Sequence, residues 1–146
     1  AGCTHKCKGC HNPVTWDIEG GIPFDDAAKE ELFEAIKPDY ISGVTFSGGD
    51  PLHPANHVEV AVLAKEIKET FPNKTIWLYT GDLWENIMHY AIMQYVDVLV
   101  DGEFEIDKKD NKLLWKGSSN QRVIDVQKSL KLTDPSNPVL HCGDYA

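Results

Sequence analysis

The chain has 146 residues, 42% of them hydrophobic, 10% aromatic and 25% charged, with a net charge of −9. This is the length and balance of one globular domain with a real core. The acidic excess argues against nucleic acid as the main partner, since phosphate backbones call for Lys and Arg, and no apolar run is long enough to read as a membrane span or signal peptide.

The chain opens with "AGCTHKCKGCHNPVTW", in which Cys3, Cys7 and Cys10 are spaced C-x3-C-x2-C. Clustered thiols without a secretory signal point to metal or redox chemistry in a reducing, cytoplasmic setting rather than to a disulfide framework. The fourth cysteine, Cys142, stands alone in "VLHCGDYA" and reads as an incidental thiol, a fourth ligand or a docking element.

Helical and extended signals then alternate. "DDAAKEELFEAIK" carries Ala28, Leu32, Phe33 and Ile36 at helical spacing behind Asp25 and Asp26, and Pro38 ends it. "SGVTFSGGD" reads as a strand running into a glycine turn. "NHVEVAVLAKEIKETF" puts Val60, Leu63, Ala64, Ile67 and Phe71 on one stripe. "KTIWLYTGD" is a second strand, "LWENIMHYAIMQY" a third helix and "VDVLVDGEF" a third strand. After "KLLWKGSSNQR", a mixed apolar and polar stretch, a last helix is expected from about Gln121, and "TDPSNP" is a loop.

This order predicts an α/β fold with a mostly parallel sheet and crossover helices. Parallel strands put their C-terminal loops on one side, so Ser47–Asp50, Thr80–Asp82 and Asp101–Glu103 are expected to line one mouth. The chain shows no linker, so 1–146 is expected to be one domain, with a cluster loop at 3–10, a core over about 22–130 and an irregular tail at 131–146.

Three close thiols allow several chemistries. A structural zinc wants four ligands, and His5, His11, His141 or Cys142 would supply the fourth. Cys7 and Cys10 alone form a redox-type C-x-x-C, which leaves Cys3 unexplained. A [4Fe-4S] cluster held by three thiolates keeps one iron open for something else.

The C-x3-C-x2-C spacing resembles the signature of the radical S-adenosylmethionine enzymes, and "SGGD" resembles their glycine-glycine-acid motif. Together, "GCTHKCKGCHNPVTW", "SGGDPLHPAN", "TGDLWE", "VDVLVDGEF" and "LWKGSSNQR" are similar, from Gly2 to Arg122, to the activating proteins of anaerobic ribonucleotide reductases. The resemblance implies a partial, open (β/α) barrel. It also implies a strand ahead of the first cysteine, so the first strand is expected to be missing from this chain.

It implies that Cys3, Cys7 and Cys10 hold the cluster and that S-adenosylmethionine chelates the fourth iron. Gly9 and His11 would lie near its adenine side, Gly48, Gly49 and Asp50 near its methionine end, and Thr80 at the same mouth. The reduced cluster would cleave the sulfonium, and the resulting 5′-deoxyadenosyl radical would leave a glycyl radical on the large subunit of the reductase. Flavodoxin is the implied electron donor. His5 is implied to be non-ligating, and members often carry an aromatic residue where this chain has Asp82. His53 and His57 read as loop and helix-start residues, the four tryptophans as mostly core, and "KGSSNQR" as a surface turn or a docking element.

Overall fold

The computed structural model describes residues 1–141. Among them the ordered strands form one sheet in the order β1 (Gly43–Phe46), β2 (Thr75–Tyr79), β3 (Val98–Asp101), β4 (Arg122–Asp125). The first three strands are parallel and β4 runs antiparallel to β3. The fold is therefore α/β with an open, mostly parallel sheet. No helix of the described residues is long and apolar enough to cross a membrane.

The expected first two helices form. α1 (Asp26–Ile36) starts where the Asp25 carboxylate accepts the Ala28 N–H at 2.8 Å, and it stops before Pro38. α2 (His57–Thr70) buries Ala64 and Ile67 completely, with Val60, Leu63 and Phe71 packed beside them. These residues meet Ile76, Leu78, Leu99 and Ile124, which point to one face of the sheet because strand side chains alternate. The other face carries Val98, Val100 and Val123 with Trp77 and Tyr79. Residues 104–121 cross it: Trp115 stacks edge-on against Trp77 at 5.1 Å, and the Tyr79 hydroxyl donates to the Trp115 carbonyl at 2.6 Å.

Two local expectations need correction. "LWENIMHYAIMQY" is not one helix: α3 (Trp84–Ile87) ends after one turn, Tyr90 is extended, and a 3-10 turn covers Ala91–Gln94. The break re-aims the chain so that Trp84, Ile87, Ile92 and Met93 all reach the core. The helix expected from about Gln121 is instead β4 followed by α4 (Val126–Leu130), which Asp125 caps by accepting the Lys128 N–H. Val123 and Ile124 go to opposite faces of the sheet and are both buried, an environment suited to β-branched side chains.

Of the tryptophans, only Trp84 is fully buried. Trp16 and Trp77 are half-buried and Trp115 is 37% exposed. His53 lies in a turn and His57 opens α2, as expected. Cys142 lies outside the described residues.

Candidate metal centre

The three thiols sit on a loop with little core of its own. Within residues 1–25 only Gly2 is buried. Backbone bonds hold the segment: Gly2 donates to Thr15 at 2.7 Å, Cys3 to Trp16 at 3.1 Å and Cys10 to Cys7 at 3.1 Å. A 3-10 turn, Pro13–Trp16, closes the loop, and the Asn12 N–H points at Cys10 Sγ from 3.4 Å. Gly2 is then tied to the sheet, because its carbonyl accepts the Asp50 N–H at 2.7 Å.

This contact seats the cysteines over the C-terminal ends of the parallel strands. A cleft of about 360 Å³ opens there. Cys3, Cys7, Cys10 and His11 line it from the loop; Gly48, Gly49, Asp50 and Thr80 line it from the sheet. The three strand-end loops thus share one mouth. Gly9 is not among the lining residues; it packs against Ile106 behind the loop, with φ +77°. His11 faces the Phe104 ring at 5.3 Å. A larger cleft of about 620 Å³ lies along the outer edge of β1 between α1 and α2. It holds no thiol, so the smaller cleft is where the chemistry-bearing groups meet.

Asp50 is 5% exposed and heavily used. Its carboxylate accepts Thr80 Oγ1 on both oxygens (3.0 and 2.9 Å), the Gly81 N–H at 3.0 Å and the Leu52 N–H at 2.9 Å. It therefore ties the end of β1 to the end of β2. His5 adds a fifth contact, with Nε2 2.8 Å from Asp50 Oδ2. Burial disfavours the imidazolium, but the Glu103 hydrogen bond and the charges of Asp50, Asp82 and Glu103 outweigh it, so the His5 pKa is raised. Burial and the neighbouring Asp50 charge also raise the Asp82 pKa, against the pull of His5.

The Cys7 thiol is pushed up by burial, with Glu103, Cys3 and Cys10 adding to the effect against a lowering backbone contact at Phe104. A metal charge beside the Cys7 sulfur would reverse that balance. All three cysteines are free and half-buried.

"KGSSNQR" is more than a plain surface turn. Ser118 is fully buried, and Gln121 accepts the Gly117 and Ser118 N–H groups while donating to the Gly102 carbonyl at 2.9 Å. The segment braces the end of β3, and Gly117 and Gln121 form part of the cleft wall.

A family model described as a 4Fe-4S single cluster domain matches residues 1–124. The anaerobic ribonucleoside-triphosphate reductase-activating protein of Enterobacteria phage T4 is 43% identical over 122 residues, covering 84% of this chain and 78% of that protein. The chain belongs to this family. The corresponding activating proteins of Pasteurella multocida (strain Pm70) and Escherichia coli (strain K12) are 40% and 39% identical over 129 and 127 residues, each covering 84% of this chain and 82% of the relative. No solved structure matches the chain significantly.

Within this activating-protein chain, sequence reasoning placed Glu103 at the mouth but missed His5 as the residue that meets it there. The signal was present: "SGGD", "TGD" and "DGE" each end a strand on an acid, and "CTHKC" carries one histidine into their midst. Trp16 and Phe104, read as core or not singled out, also line the cleft.

Proposed function

We propose that the protein activates anaerobic ribonucleotide reductase by generating a glycyl radical on its large subunit. In this reading the chain is a single radical S-adenosylmethionine domain, its open sheet a partial barrel of that type. Cys3, Cys7 and Cys10 would hold a [4Fe-4S] cluster. The donor set fits such a group: three free, half-buried thiols on one loop line a single cleft. When bound, the cluster and S-adenosylmethionine supply the reductive C–S cleavage that yields a 5′-deoxyadenosyl radical.

The observation that carries the reading is the convergence of the thiol loop and the Ser47–Asp50 turn on one cleft. Gly48, Gly49 and Asp50, with Thr80, would face the methionine end. His11 and the backbone at Gly9 would flank the adenine side, the placement at Gly9 resting on the resemblance. The protein's own residues bind, orient and shield; no acid–base pair or nucleophile is needed.

Cleft size favours a protein substrate over a small one. About 360 Å³ is near the lower end of small-molecule sites, so S-adenosylmethionine alone would occupy most of it. The hydrogen donor then has to be presented from outside, as a glycine on a partner chain can be. An electron donor of flavodoxin type and a cytoplasmic setting complete the reading.

The test is anaerobic iron–sulfide reconstitution, then incubation with S-adenosylmethionine and dithionite. Formation of 5′-deoxyadenosine is expected, and a glycyl-radical signal by electron paramagnetic resonance once the reductase is added. A colourless, zinc-loaded protein that yields no 5′-deoxyadenosine overturns the reading. Nucleoside formation with no radical on a competent reductase overturns the choice of partner.

A further inference from the structure

One residue of the cleft that meets three carboxylates has no role in the reading above. His5 stands between Cys3 and Cys7 on the thiol loop. Its Nδ1 lies 2.8 Å from Glu103 Oε1, and its Nε2 lies 2.8 Å from Asp50 Oδ2 and 3.4 Å from Asp82 Oδ1. Asp50, Asp82 and Glu103 follow β1, β2 and β3 respectively. One ring therefore collects all three parallel-strand loops.

The ring's place is built, not incidental. Its edge lies so close to Gly81 that a Cβ there would come within 2.5–2.7 Å of three imidazole atoms. Only glycine permits that approach. The acceptors are themselves fixed. Asp50 is held by Thr80 and the Gly81 N–H, while Asn120 Nδ2 donates to the Glu103 carbonyl at 2.8 Å and Gln121 to that of Gly102. Both ring nitrogens are engaged by carboxylates, which leaves neither directed at the thiols.

We propose that His5 is a positioning residue that locks the thiol loop to the strand ends and so sets the spacing between the metal and the Gly48–Asp50 turn. The inference rests on the proposed function, since it concerns how a ligand spanning both halves is held. Without the ring, three thiols still share one loop, so cluster loading survives. What is lost is the fixed distance that S-adenosylmethionine must bridge. Charge-assisted hydrogen bonds of this kind are individually substantial, so removing them should weaken S-adenosylmethionine binding by roughly ten- to a hundredfold.

The experiment compares reconstituted parent protein with His5→Ala, His5→Gln, Gly81→Ala and Glu103→Gln. Iron and sulfide content is measured first, then S-adenosylmethionine binding by equilibrium dialysis, then the reduced-cluster resonance spectrum with and without S-adenosylmethionine. All four variants are expected to load the cluster as the parent does. His5→Ala should bind S-adenosylmethionine at least tenfold more weakly and lose the ligand-induced spectral change. His5→Gln, which can restore part of this contact set, should recover part of the affinity. Gly81→Ala removes no polar group but displaces the ring, and should reproduce His5→Ala. Adding Glu103→Gln to His5→Ala should cost nothing further.

Parental affinity and spectra in His5→Ala overturn the proposal. Failure of His5→Ala, His5→Gln and Gly81→Ala alike to load iron overturns it too, because His5 would then serve folding or ligation. A parent protein that neither loads iron nor binds S-adenosylmethionine refutes the proposed function instead, so the two failures are distinct.

Discussion

Gly49→Ala tests how the thiol loop is fastened to the sheet. A Cβ built on Gly49 falls 2.6 Å from the Gly2 carbonyl oxygen and 2.8 Å from that of Thr15, both backbone atoms. That is roughly an ångström inside ordinary van der Waals separation, and neither atom can rotate away as a side chain would. Both oxygens are also in use: Gly2 O accepts the Asp50 N–H and Thr15 O accepts the Gly2 N–H, each at 2.7 Å.

The methyl group can be accommodated in two ways. If the segment holds, overpacking costs about 1–3 kcal/mol. If it lifts off, the cost is the loss of these backbone bonds, about 0.5–1.5 kcal/mol each. The second route caps the first, because residues 1–25 bury so little that detaching them leaves the core intact. Urea unfolding should therefore show a loss of about 1–3 kcal/mol. The loop should respond far more, with trypsin cutting after Lys6 and Lys8 at least tenfold faster than in the parent.

Gly48→Ala is the matched control. It meets no atom within 4 Å, but it sits at φ +111°, so its cost is local strain of about 1–3 kcal/mol. Its stability loss should resemble that of Gly49→Ala, without accelerated cleavage in the loop. A Gly49→Ala protein whose Lys6 and Lys8 sites are cut at the parental rate would refute the fastening argument.

Cys7→Ala should fail to hold a [4Fe-4S] cluster after anaerobic reconstitution, and an intact cluster measured by iron, sulfide and absorbance would contradict the ligand set. Ile67→Ala, at a fully buried position of α2, should lose about 2–5 kcal/mol in urea unfolding; a loss under 1 kcal/mol would show that the site collapses around the missing atoms.

The Arg122 network separates buried from exposed charge. Arg122 bridges the buried Asp101 and the exposed Glu85, so Arg122→Met should cost about 3–5 kcal/mol by stranding Asp101, while Glu85→Gln should cost under about 1 kcal/mol. The Arg122 hydrogen bond holds the Glu85 carboxyl below its ordinary 4.5. A depressed carboxyl stabilises the fold above its unfolded value, and that contribution is lost as pH falls through the folded one. The stability gap between parent and Glu85→Gln should therefore close as pH is lowered below 4.5; a gap that persists unchanged at pH 2 would contradict the assignment.

The alternation of strands and helices was legible because each element buries its own periodic face. Ile67 on α2 and Leu78 on β2 report their surroundings within a few residues of sequence. The third helix and the final strand were not legible for the opposite reason. Tyr90 leaves the helical path because Ile87, Ile92 and Met93 must all reach one core, a demand made by distant residues. Val123 and Ile124 read as well in a helix as in a strand until β3 offers them a partner.

The site divides along the same line. Its thiol trio could be read because a C-x3-C-x2-C spacing is local, and so could the glycine turn that shares its cleft. What holds the thiols could not be read, because their loop has almost no apolar burial to announce its position. Its place depends on Asp50, Asp82 and Glu103, which are tens of residues apart in sequence and meet only because three parallel strands end together. A loop fastened by polar contacts rather than by burial takes its order from whatever else binds those contacts. If the thiols take a metal and the Gly48–Asp50 turn a ligand, as proposed, both act on one loop equilibrium, and each should strengthen the other.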